Sequence, residues 1–303
     1  MADAANERRP SRKRRVTKLY EADDYVAVDK PCDMCIDKQR NREGDDPNLQ
    51  DLVRAAVAPA LRGEVRHCHQ LDYATSGVML YATSKQAAAA AQKCFQGRTA
   101  RKAYLALVWG APPWATSACE LAVIQDPDDA FRMKLGDLEI VWPLLAPGAA
   151  KEARHERRKR RKHSGPASTT VEVVARGTYL GRPVAKLLLR PKTGRRHQLR
   201  LHCVALGLPI VGDATYGPED DDAPRMMLHA RTLMLPVGER GLEVSAPDPF
   251  RVGLLAGLWL DGDDTPPAPA PAATAHGAEP WWPRAAAWWG ALRDLVGSRR
   301  SAG

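Results

Sequence analysis

The feature that most constrains this chain is a lone carboxylate followed by a turn and an apolar run. Between His67 and Tyr81 the only acidic residue is Asp72, and after it come Thr75-Ser76-Gly77 and Val78-Met79-Leu80-Tyr81. A short apolar run behind a turn predicts a strand. Asp72 is then expected on a loop whose far end is anchored in a sheet, the setting in which functional side chains concentrate. An aspartate in a turn is most often only a capping or turn residue, so further features must raise it above that role.

The surrounding pattern is mixed. Leu19-Tyr20 and Tyr25-Val26-Ala27-Val28 read as two short strands parted by the turn-prone residues 21–24, and Lys30-Pro31 stops the ladder. Residues 37–48 read as a polar loop. Leu49, Leu52, Val53 and Ala56 fall on one face of a predicted helix over 48–57, ended by Pro59. Residues 84–97 combine a Ser N-cap, an alanine-rich middle and a Gly stop, the clearest helix signature in the chain. Residues 102–109 predict a buried strand. Residues 111–147 are proline-rich and show no clear pattern. The runs 169–176 and 184–189 predict a hairpin joined through Gly177 to Pro183, and 197–207 a helix with Leu199, Cys203 and Leu206 facing inward. Short apolar runs between turns follow, and the core is expected to close between Phe250 and Leu260.

Composition bounds the ends and the partners. The formal net charge of +9 is concentrated in two runs, Arg8 to Lys18 and Lys151 to Lys162. A basic balance of this kind points to a polyanion, nucleic acid before anionic membrane, although solvated tails and import signals share the composition. The expected organisation is a disordered basic arm at 1–15 and a core domain at 16–260 with a basic insert at 148–166. A Pro/Ala-rich linker at 261–280 and a Trp-rich amphipathic tail helix at 281–297 complete it. The six cysteines, without a secretory signal, read as reduced thiols, and no apolar run is long enough to span a membrane. Cytosol, nucleus or both are the expected locations, with an organelle left open.

Three features lift Asp72. It lies in apolar sequence, Arg200 is a candidate basic partner, and Tyr104 on the predicted buried strand has a hydroxyl that needs a use. An arginine held against a carboxylate keeps it ionised and fixes its direction, which suits nucleophilic or base chemistry. Two rival constellations are weaker. Cys32 and Cys35 with His67, Cys68 and His69 could assemble a zinc site, but the second cluster lacks standard spacing. A hydrolase triad from Ser76, His69 and Asp72 lacks the Gly-x-Ser-x-Gly elbow.

Several motifs in order make a sharper pattern. They are Tyr25-Val26-Ala27-Val28-Asp29-Lys30-Pro31, His69-Gln70-Leu71-Asp72-Tyr73-Ala74-Thr75-Ser76-Gly77, Arg101-Lys102-Ala103-Tyr104-Leu105-Ala106, and the run from Leu189 to His202. Gly207 to Gly217 and Met227-Leu228-His229-Ala230 follow them. Together they resemble the signature motifs of RluA-type RNA pseudouridine synthases, and particularly the eukaryotic RNA pseudouridine synthase domain-containing proteins, whose motif also reads His-Gln-Leu-Asp. The match runs from about Leu19 to Phe250.

That resemblance implies an α+β fold around a mixed, largely antiparallel sheet. It also implies an isomerase that converts uridine in RNA to pseudouridine without cofactor or metal. Asp72 matches the catalytic aspartate, which attacks the uridine so that the C1′–N1 bond breaks, the uracil rotates and C5 rejoins. Arg200 matches the arginine that pairs with it. Tyr104 matches the tyrosine that stacks on the base and is implicated in removing the C5 proton. Gln70, Leu71, Thr75, His197, Gln198 and Leu199, in the same motifs, are expected to bind substrate. Most of the family has Arg where this chain has Gln70, and that Arg helps fill the space left by a flipped uridine; an amide cannot pair with phosphate as Arg does. The expected partner is RNA, whether tRNA, rRNA or mRNA, with no DNA, no membrane and a monomeric chain. A catalytically silent RNA-binding protein of the same fold is the alternative.

Overall fold

The computed structural model describes residues 16–37, 47–57, 65–126, 128–129, 131–136 and 164–261. The basic arm, the insert up to residue 163, the linker beyond Asp261, the tail helix and the Pro59 stop lie outside the described residues.

The chain begins with the expected pair of strands, β1 (Thr17–Glu21) and β2 (Tyr25–Lys30), and helix α1 (Leu49–Val57) follows. Asn48 starts α1 by accepting the Asp51 N–H at 3.0 Å. Leu49 and Val53 are buried and Leu52 partly so, but Ala56 is exposed. Then come β3 (Arg66–His67) and β4 (Ser76–Ala82), and α2 (Lys85–Gln96), where Ser84 Oγ accepts the Ala87 N–H at 3.1 Å. Buried Ala87, Ala88 and Ala91 let α2 lie close on the sheet.

All seven residues of β4 are buried. Val78, Leu80 and Ala82 pack with the α2 alanines, while Met79 and Tyr81 pack with Leu49 and Val53 of α1 on the opposite face. A strand covered on both faces reads as a continuous apolar run, which is the pattern seen in the sequence.

Beyond α2 lie β5 (Arg101–Trp109), β6 (Thr116–Cys119), β7 (Ala122–Gln125), β8 (Met133–Gly136), β9 (Thr169–Tyr179), β10 (Arg182–Pro191), helix α3 (Gln198–Ala205), β11 (Leu228–Leu235), β12 (Leu242–Ser245) and β13 (Leu258–Leu260). The β9–β10 hairpin is tighter than expected. Its turn is Leu180-Gly181, both with positive φ, as a two-residue hairpin loop requires. Gly177 is therefore a strand residue. A Cβ there would lie 1.9 Å from the Trp259 carbonyl oxygen, so its glycine admits β13 rather than a loop. Strands β6, β7 and β8 occupy the stretch that looked patternless; each has four residues, too few for a visible period. The last residues of the insert are ordered here too, with Gly165 bridging to Val123.

Among the described residues eleven strands form one sheet in the order β1-β2-β4-β11-β5-β10-β9-β13, with β12 on β11, β3 on β4 and β6 on β9. Every pairing in it is antiparallel except β4 with β11, which is parallel and only two residues long, His229 to Ser76 and Ala230 to Gly77. This is the mixed, largely antiparallel sheet expected. Gly77, at φ 108°, makes the joint possible: a Cβ would meet the Ala230 carbonyl oxygen at 2.2 Å. One row then crosses four strands, Gly77 to Ala230 to Tyr104 to Leu189. The Asp72 turn enters this row from one side and the loop from β10 to α3 leaves it on the other.

Candidate active site

Asp72 sits in the turn just before β4. The turn is Asp72 to Thr75, closed by the Thr75 N–H donating to the Asp72 carbonyl at 3.1 Å, and Ser76 and Gly77 already belong to the strand. Lys30 holds it from below. Its fully buried ammonium donates to the carbonyls of Tyr73 and Thr75, each at 2.8 Å, and of Pro31 at 2.9 Å. Burial lowers the Lys30 pKa to about 8, with Asp72 among the carboxylates that resist the shift.

Helix α3 supplies the cation. It is buried nearly all round, Gln198 to Cys203 included, so Arg200 is delivered into the interior and not onto a solvated face. Arg200 Nη1 lies 3.9 Å from Asp72 Oδ2. Its close partner is Asp213, which takes Nε at 2.7 Å and Nη2 at 2.5 Å in a bidentate pair. The Asp213 side chain is 1% exposed and that of Asp72 27%. Asp213 is thus the permanent counterion, and Asp72 faces the cleft with a cation already aimed at it. Burial alone would lower the guanidinium pKa, but the bonds and charge of Asp213 hold it above its ordinary value. The guanidinium also lies 4.8 Å from the ring centre of Tyr216.

His197 covers the other carboxylate oxygen, with Nε2 4.0 Å from Asp72 Oδ1. It enters α3 in the left-handed region at φ 55° and contacts Tyr216 Oη through Nδ1 at 2.8 Å. Tyr104, on β5, lines the same cleft. Burial, with the charge of Asp72 adding to it, raises its phenol pKa well above the ordinary value, so it is protonated at neutral pH.

These groups share a cleft of about 460 Å³. Gln70, Leu71, Thr75, His197, Gln198 and Leu199 all line it. Their environments differ. Gln70 is exposed, whereas Leu71 and Leu199 are core residues. Gln198 makes all four hydrogen bonds of its amide within the protein: it donates to the Ser168 carbonyl and Thr169 Oγ1, and accepts from Thr193 Oγ1 and the Arg195 N–H. It shapes the β10–α3 loop. Thr75 is buried with its carbonyl on Lys30. Arg98, Lys102, Lys192 and Arg195 also line the cleft, and among the described residues none of the four is ion-paired to a carboxylate.

The rival constellations do not assemble. Among the described residues no three His, Cys, Asp or Glu side chains gather as metal ligands. His69 Nε2 instead accepts the Leu80 N–H at 3.1 Å and its ring packs on Phe95. Ser76 turns away from Asp72, bonding His229 Nδ1 at 2.8 Å in the interior while Arg225 donates to its hydroxyl.

Sequence reasoning missed roles for Asp213, Lys30 and Tyr216. The signal for Asp213 was available, since a buried arginine needs a buried counterion and an exposed cleft carboxylate is a poor one.

The chain matches the model of the family described as RNA pseudouridylate synthase over residues 24–205. It is 36% identical over 235 residues to RNA pseudouridylate synthase domain-containing protein 1 of Danio rerio, covering 77% of this chain and 74% of that protein. Dual-specificity RNA pseudouridine synthase RluA of Escherichia coli is 31% identical over 236 residues, 77% of this chain and 93% of that protein. The solved structure of human RNA pseudouridylate synthase domain containing 1 superposes with a TM-score of 0.66 at 34% identity, covering 84% of this chain and 91% of that one. Fold, motif order and sequence therefore agree: this chain belongs to the RluA-type family of RNA pseudouridine synthases.

Proposed function

We propose that the protein isomerises specific uridines in RNA to pseudouridine, with Asp72 as the nucleophile. The observation that carries this reading is the placement of Asp72, partly exposed at the cleft with Arg200 on one oxygen and His197 on the other. A carboxylate so held is aimed without being consumed by a tight ion pair, because Asp213 takes the closer contacts of Arg200. Attack at C1′ of a flipped uridine forms the C1′–O bond as the C1′–N1 bond breaks, leaving the electron pair on the uracil. After rotation, C5 attacks C1′ and expels the carboxylate. The last step moves the C5 proton to a base while N1 takes up a proton, so that the product is the neutral isomer of uridine. Tyr104 offers a flat face for the uracil, and its raised pKa keeps the phenol protonated, so it stacks rather than accepting the C5 proton. The released Asp72 carboxylate is the anionic acceptor at hand. Arg98, Lys102, Lys192 and Arg195 would meet the phosphates beside the flipped nucleotide, and Gln70, without a cation to offer, distinguishes target choice here from that of most relatives.

Pseudouridine mapping in RNA from cells carrying wild type or Asp72→Ala tests the reading. Sites lost in the variant are expected, and Arg200→Ala should abolish turnover. If no site depends on the protein while RNA still co-purifies with it, the chain is an RNA-binding protein and the enzymatic reading fails.

A further inference from the structure

A second feature concerns how the oxygen of Asp72 that Arg200 does not face is held. Tyr216 Oη accepts the Met133 N–H at 2.8 Å and lies 2.8 Å from His197 Nδ1. The phenol has one hydrogen. With an N–H already directed at its oxygen, that hydrogen is satisfied by pointing at Nδ1, whose lone pair then accepts it. The alternative, a proton on Nδ1, would direct two N–H groups at one phenolic oxygen and leave the hydroxyl hydrogen without an acceptor among the contacts made. The proton of the neutral ring therefore sits on Nε2, which faces Asp72 Oδ1 at 4.0 Å.

We infer that His197 is a positioning residue for Asp72, locked by Tyr216 as the neutral Nε2–H tautomer so that it steadies one carboxylate oxygen by a dipole and never by a second full charge. The inference rests on the nucleophile reading of Asp72. It explains why β7 and β8 bear on the site: the hairpin supplies the Met133 N–H that orients Tyr216, and Arg132 donates to the Thr215 carbonyl beside it. The electrostatics agree. Burial lowers His197 to about 4, helped by Arg200 and Arg196 and opposed by Asp72 and Asp213. Among the described residues those groups, with Tyr216 on Nδ1, are the charged and titratable side chains that act on the ring. A neutral donor suits a nucleophile, because an imidazolium in addition to Arg200 would hold the attacking pair too tightly. At 4.0 Å the contact is open, and a hydrogen bond of this kind closes when substrate excludes water.

Long-range proton–nitrogen NMR on the full chain reads the tautomer directly and without turnover. The wild-type His197 ring should show the Nε2–H pattern and not titrate between pH 5 and 8. In Tyr216→Phe, which keeps the ring, His197 should titrate within that window. An Nδ1–H or imidazolium pattern in the wild type, or an unchanged ring in Tyr216→Phe, would overturn the inference. Pseudouridine formation supplies a separate arm. Tyr216→Phe should lose roughly tenfold in kcat below pH 6 and recover toward pH 8, with KM little changed, and His197→Gln, which retains a donor, should outperform His197→Ala. A pH-independent loss, or equal His197 variants, would mean that the pair only packs. Absence of turnover in the wild type would refute the nucleophile reading, and the NMR pattern would still decide the tautomer.

Discussion

If Asp213 is the permanent counterion of Arg200, Asp213→Ala and Asp72→Ala should have opposite profiles. Arg200 is 7% exposed at its side chain and Asp213 1%, and the two share a bidentate contact. Removing one partner of a buried pair strands the other charge, at a cost of about 3 to 5 kcal/mol. The N–H groups of Thr215 and Tyr216, which donate to Asp213 Oδ1 at 3.0 and 3.1 Å, lose their acceptor as well, adding about 1 kcal/mol each. The sum, about 5 to 7 kcal/mol, is a large share of the roughly 5 to 15 kcal/mol that holds a domain together. Asp72 is 27% exposed, with the Arg200 guanidinium 3.9 Å and the neutral His197 ring 4.0 Å away, so Asp72→Ala should cost less than about 1 kcal/mol. Urea unfolding monitored by circular dichroism measures both. At about 2 to 4 °C per kcal/mol for a domain of this size, Asp213→Ala should also melt well over 10 °C below wild type while Asp72→Ala stays within a few degrees. Equal destabilisation by the two substitutions would refute the assignment of Asp213 as the holding charge.

Other consequences follow from the same geometry. Lys30→Met takes the ammonium from three carbonyls, two of them in the Asp72 turn, and since Tyr73 keeps the Met34 N–H it should cost about 2 kcal/mol in denaturant titration and reduce kcat more than KM; unchanged kcat in a folded variant would show that the clamp does not aim Asp72. Gly77→Ala should prevent recovery of folded protein, because its Cβ would overlap the Ala230 backbone at positive φ, whereas Gly238→Ala, with nothing within 4 Å, should cost only about 1 kcal/mol of left-handed strain. Burial lowers His69 to about 3 and His197 and His229 to about 4. All three folded values lie below the unfolded value of about 6.5, so between them the unfolded chain binds more protons. Their contribution is complete above pH 6.5 and is lost as pH falls toward 4, by up to about 1.4 kcal/mol per pH unit for each imidazole. Unfolding free energies that stay flat from pH 7 to 4.5 would contradict the burial of these rings as neutral groups.

The sequence by itself determined the elements whose signals are local. The Ser84 cap, the alanine face of α2, the long strands β5, β9 and β10 and the span of α3 lie in periodicity and capping chemistry that act within one turn or one strand. The motif order was legible as well, and with it the family and the mixed sheet. What only the tertiary structure decided depends on partners far apart in the chain. Strand β6 exists because distant β9 pairs with it, while β7 and β8 pair with each other and are tied down by the bridge from Val123 to Gly165, and the glycines at 77 and 177 answer to backbones 153 and 82 residues away. At the site, the sequence offered Arg200 as the partner of Asp72; the fold gave its close contacts to Asp213, since a guanidinium taken into the interior must find a carboxylate buried as deeply as itself. Asp72 keeps the cleft because its partner is already satisfied, an arrangement set by three-dimensional burial, which no local pattern encodes.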